Sequence, residues 1–111
     1  MAHQASMESR AWEHLQRCIP SVCQAMPEED LRRAIRWGLR RARNYGFSAD
    51  FDQLRYLNLM FVFGFEFDVN PLYPWAGKTL ANRDLVPRAR MDLLMDRAML
   101  FASKSGTAKT A

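Results

Sequence analysis

Histidines, cysteines, carboxylates and one glycine-lysine pair are the residues with which this 111-residue chain could do chemistry. His14, Cys18 and Cys23 are of the types that hold zinc, yet a fourth ligand and a recognised spacing are missing. Small apolar free thiols are the better reading of both cysteines, which are expected to be reduced. His3 stands at the end of the chain and His14 alone on a helical segment, neither beside a nucleophile signature. Ala76-Gly77-Lys78-Thr79 has the closing residues of a phosphate-binding loop, but Leu72 stands where that loop needs its first glycine. Asp68-Val69-Asn70 opens like a calcium loop, and then Leu72 and Tyr73 occupy a ligand position and the glycine position. Asp68 reads instead as a cap on loop amides. The expectation is a protein without enzymatic activity, metal or cofactor.

Binding is better provided for. Six arginines fall within residues 31–43, and they raise nucleic acid as a partner because each can neutralise a phosphate. A solvated helix face is the favoured reading of Arg32, Arg36, Arg40 and Arg43. Trp37 projects to that same polar side, with Arg33 four residues before it and Arg41 four after. Guanidinium groups stacked on an indole have the composition of an interface hot spot, and Arg33, Trp37, Arg41, Arg36 and Arg40 are the principal partner-binding candidates. The alternative, a Trp37 ring covered by the first helix, stays open. Leu93 and Leu100, seven apart on the polar side of the last helix, are further candidates, either as an adaptable apolar surface or as a second core face.

These residues need helices to position them. Met7, Ala11, Trp12, Leu15, Cys18 and Ile19 recur at helical spacing over 5–19, where Pro20 ends the segment. Val22, Cys23 and Met26 are expected to form a short packed turn. Pro27 and the acidic Glu28-Glu29-Asp30 start a second helix, amphipathic along Leu31, Ala34, Ile35, Gly38, Leu39 and Ala42 and closed at Gly46. Gly38 in its middle costs about 1 kcal/mol against alanine, which a close approach of another backbone would explain. Ser48 or Asp50 is placed to cap the next helix, 51–63, which is apolar nearly all round and ends at Gly64. Residues 61–67 alternate as a strand would, but no other segment reads as a partner. The Pro- and aromatic-rich stretch 65–75 is an ordered loop pinned by buried rings, Pro74 starts a short helix to Ala81, and Pro87 opens a last helix to about Ala102.

Composition sets outer limits. At 49% hydrophobic and 25% charged residues the chain can fill a modest core, so global disorder is excluded. The longest uncharged apolar stretch, 57–65, is far short of the roughly 20 residues that span a bilayer. No signal-peptide pattern opens the chain, and a cytoplasmic location is expected. The net charge of +4 divides into 0 for 1–27, +3 for 28–46, −3 for 47–75 and +4 for 76–111. Such a dipolar pattern suits a protein partner or self-association into a homo-oligomer at least as well as nucleic acid.

From Leu31 onward the chain resembles a helical module of type VI secretion gene clusters, found at the end of effector-adaptor chaperones and as small stand-alone proteins. The likeness rests on Arg43-Asn44-Tyr45-Gly46-Phe47, Arg55-Tyr56-Leu57-Asn58-Leu59-Met60-Phe61, Gly64, Phe67-Asp68, Pro71, Pro74-Trp75-Ala76, Leu80 and Arg90-Met91. It implies cargo handling in a bacterial secretion apparatus, as an adaptor, chaperone or accessory protein, with an immunity protein that blocks a toxin as an alternative. The matched positions read as structural: Gly46 and Gly64 as helix ends, Asp68 as a loop cap, and Phe67, Pro74 and Trp75 as the buried loop anchor. The expected fold is all-α, a single domain over 1–102 of four or five helices around the central helix 51–63, with the Pro- and aromatic-rich loop folded against it and a flexible tail over 103–111.

Overall fold

The computed structural model describes the backbone of residues 2–110 and the side chains of 7–104. His3 therefore has no described side chain. Six helices and no strands make up the described residues: α1 Ala2–Cys18, α2 Pro20–Ala25, α3 Glu28–Asn44, α4 Asp50–Phe63, α5 Pro74–Ala81 and α6 Pro87–Thr110. The chain divides into two compact units, Met1–Phe65 and Glu66–Ala111.

In the first unit α4 packs on α3 and α1, and α1 also meets α2 and α3. Its core is made by Ala11 and Leu15 of α1, Leu31, Ile35, Leu39 and Ala42 of α3, and Tyr56, Leu57, Leu59 and Met60 of α4. The apolar face read from α3 is thus the buried one. Pro20 both ends α1 and occupies the first turn of α2, so the expected turn around Cys23 is a short helix. The end of α3 closes as a Schellman motif. The Gly46 amide donates to Arg43 at 2.9 Å, the Phe47 amide to Ala42 at 3.0 Å, and Gly46 sits at φ +98°, where a Cβ would be strained. Phe47 is fully buried at this closure, and its carbonyl accepts a 2.8 Å hydrogen bond from Gln53 Nε2.

Several expectations need correcting. Neither Ser48 nor Asp50 caps α4: Ala49 is its N-cap without a side-chain bond, and the Asp50 carboxylate pairs with Arg10 of α1 instead. Nor is α4 apolar against neighbours all round, since Phe51 and Val62 are more than half exposed, with the Arg55 guanidinium lying 4.4 Å over the Phe51 ring. Gly38 is crowded by side chains of α4, as an added Cβ would lie 2.5 Å from Leu57 Cδ2 and 2.8 Å from Met60 Sδ.

In the second unit α5 packs on α6. Phe67 and Asp68 are buried in the turns before α5, whereas Pro74 is exposed at the first turn of that helix and Trp75 is half-buried. Of the expected loop anchor, Phe67 alone is fully enclosed. Trp75 instead joins a ring cluster, 5.8 Å from Tyr73 and 5.8 Å from Phe101, with Tyr73 edge-on to Phe101 at 5.3 Å. Thr79 ties the helices, donating to the Trp75 carbonyl at 2.6 Å and accepting from Arg97 at 3.3 Å. Met91, Leu94 and Ala98 fill the inner face of α6. Arg90, 3% exposed, is held below the usual guanidinium range by burial and then by the like charge of Arg83. The α6 helix runs past Ala102 to Thr110, and the tail expected over 103–111 falls from residue 105 onward outside the described side chains.

Candidate functional site

The arginine-rich face of α3 divides by what each guanidinium meets. Arg32 reaches Glu28 at 3.0 Å and Glu8 at 3.8 Å, and it lies 4.4 Å over the Trp12 ring. Arg33 is paired with Asp30 at 2.5 Å and Arg36 with Glu8 at 3.1 Å. Arg40 and Arg43, both exposed, form no ion pair among the described residues. Positive charge left without a carboxylate therefore gathers toward the C-terminal half of α3, where it also complements the negative end of the helix dipole.

Trp37 is half-buried, and its neighbours are those foreseen on one side only. The Arg41 guanidinium lies 4.8 Å over the ring, as the i,i+4 spacing suggests. Arg33 turns away to Asp30, and Phe65 takes part in its place at 6.2 Å and 41°. With Met26 and Ala34, these two rings floor an open groove of about 470 Å³. Along α3 the groove is lined by Asp30 and Arg33 toward the N-terminus, by Arg36 beside Trp37, and by Arg40 toward the C-terminus, so Arg36 and Arg40 share one border of it. The last two also border a second, smaller depression of about 270 Å³ shared with Met7, Glu8, Leu39 and Arg43, so they form a ridge between the two hollows, with the Glu8 carboxylate on its far side. Sequence reasoning found the tryptophan and the arginines but missed Met26 and Phe65, which come from outside α3. The only signal for them was their being large apolar residues beside chain breaks at Pro27 and Gly64.

The other sites read from sequence are separate. Leu93 is half-buried and Leu100 is 59% exposed, as their position opposite Met91, Leu94 and Ala98 requires. Leu100 borders a small depression of about 160 Å³ with Trp75, Phe101, Arg97 and Lys104, while Leu93 takes no part in it. His14 is engaged structurally: its Nε2 donates to Asn58 Oδ1 of α4 at 2.9 Å, and its Nδ1 lies 3.8 Å from the Cys18 thiol. Cys18 is exposed and Cys23 buried, both free, and burial pushes the Cys23 thiol up from its ordinary value. No group of three or more histidine, cysteine or carboxylate side chains with the geometry for a metal occurs among the described residues.

No family model, curated protein or solved structure matches the chain. Its groove combines a half-exposed indole, an exposed phenylalanine and a basic rim, the composition that interface hot spots favour. No helix is long and apolar enough to cross a membrane among the described residues.

Proposed function

We propose that this protein is a non-enzymatic protein-binding module, an adaptor or accessory protein for a bacterial type VI secretion effector in the cytoplasm, and that it meets its partner through the groove around Trp37. The observation that carries the binding reading is the groove itself. A large aromatic ring held by a stacked Arg41, beside an exposed Phe65, is a surface that loses water favourably against another protein's side chain. The secretion assignment draws its support from the order of motifs between Arg43 and Met91. Nucleic acid is disfavoured because Arg32, one of the four arginines it would use, already meets two carboxylates, Glu28 and Glu8, and lies over the Trp12 ring.

The test is affinity capture from the native host with wild-type and Trp37→Ala baits, followed by mass spectrometry and by unfolding measurements on both baits. Enrichment of a secretion effector or its adaptor by the wild type, lost with a folded Trp37→Ala, is the expected result. Identical capture by both baits, or retention of nuclease-sensitive material alone, overturns the reading. A captured toxin whose activity is blocked on addition of the protein makes it an immunity protein instead.

A further inference from the structure

Charge is distributed unevenly along the groove, and that asymmetry specifies what fits it. About 15 Å of helix separates Asp30 from Arg40. At the Asp30 end Arg33 is neutralised by its neighbour at 2.5 Å, so no net charge is left to attract a ligand. Farther along α3, Arg36 shares Glu8, a carboxylate on a different helix, with Arg32, and Arg40 and Arg43 make no ion pair among the described residues. Between the two ends the floor of Met26, Ala34, Trp37 and Phe65 offers only apolar surface. A phosphate or a small anion would find no use for that floor, and a purely apolar ligand would leave the basic ridge unanswered.

We propose that the groove binds a short acidic peptide segment of a partner protein, with a bulky apolar side chain seated over Trp37 and Phe65 and carboxylates laid on the ridge of Arg36 and Arg40. This deepens the protein-binding reading and rests on it. The open shape suits a segment lying across the surface, since an enclosed pocket would be needed to surround a small molecule. Arg36 can keep its bond to Glu8 and still face a second carboxylate, because its side chain is 48% exposed. Arg40 is the cleaner electrostatic partner. Indole desolvation should dominate affinity, and the two rim arginines should choose the sign of the partner.

The experiment uses the full chain and three dye-labelled peptides of equal length, read by fluorescence anisotropy at low salt. In the first, Trp-Leu is preceded by three glutamates; in the second, lysines replace the glutamates; in the third, Ala-Ala replaces Trp-Leu. The acidic Trp-Leu peptide should bind at least about tenfold tighter than either of the others. Arg40→Glu, at an exposed position and with its fold checked by circular dichroism and urea unfolding, should remove most of its advantage over the lysine peptide. Trp37→Ala should remove its advantage over the Ala-Ala peptide. Equal binding of the three peptides, a preference indifferent to Arg40→Glu, or tighter binding of a dye-labelled single-stranded oligonucleotide that the same substitution abolishes, overturns the inference. Should the acidic peptide fail while Trp37→Ala still abolishes capture of a host protein, the protein-binding reading stands and its acidic specificity falls. Loss of both removes the reading itself.

Discussion

Gly38 and Gly64 show how one residue type answers two different demands. At Gly38 the helix is ordinary and the space is occupied, with Leu57 and Met60, both fully buried, where a side chain would go. Gly38→Val should therefore destabilise by about 2–3 kcal/mol through overpacking, measured as a lower urea midpoint. At Gly64 nothing lies within 4 Å, but φ of +122° and ψ of 152° belong to a region that other residues rarely enter. Gly64→Ala should cost about 1–3 kcal/mol through the backbone alone. Trp37 belongs to this scale too. Half-buried and packed on Arg41 and Phe65, it should lose about 1–2 kcal/mol of stability on truncation to alanine, less than a core tryptophan loses. A loss of several kcal/mol with partner affinity retained would assign the ring to the core instead. The thiols offer a simpler check, since maleimide should label exposed Cys18 in the native protein and reach buried Cys23 mainly after unfolding.

Among the elements, α5 and α6 depend on a polar tie and a ring cluster. Thr79 is 2% exposed and bonds both the Trp75 carbonyl and Arg97. Thr79→Val keeps the shape and removes both bonds, and a loss of about 1–2 kcal/mol is expected in thermal or urea unfolding. Trp75→Ala would cost roughly 3–5 kcal/mol were the ring buried; half-buried beside Tyr73 and Phe101, it should cost about 2–3 kcal/mol. In α3 the acidic first turn and the arginines of the last turn both complement the helix dipole, and Gly46 completes its closure. The same arrangement that stabilises the helix leaves cationic side chains toward its C-terminal half, where the binding ridge lies.

Across the whole molecule the charge of +4 predicts how binding responds to salt. A complex driven by about six phosphate contacts would weaken about 10³-fold or more between 50 and 200 mM salt. A protein partner seated on Trp37 with two arginines at its rim should weaken by less than about tenfold over the same range, and titration of the captured partner checks this. A steep loss would transfer the arginine face to nucleic acid.

Helical class, the buried stripe of α3 and the C-terminal ends of α3 and α4 are legible in the residues alone, because apolar periodicity and the conformational freedom of Gly46 and Gly64 act over a few neighbouring residues. So is the position of Trp37 beside Arg41, since four residues along a helix bring side chains onto one face. Other features lay with tertiary structure. Asp50 was equally suited to cap its helix or to pair with a cation, and the position of Arg10 on another helix decided for pairing. Arg36 and Arg40 looked equivalent until Glu8 reached one and not the other. Phe65 is 28 residues from Trp37 in sequence, and no local pattern sets a separation that long; only the packing that turns the chain at Gly64 brings the rings to 6.2 Å and makes a groove of them.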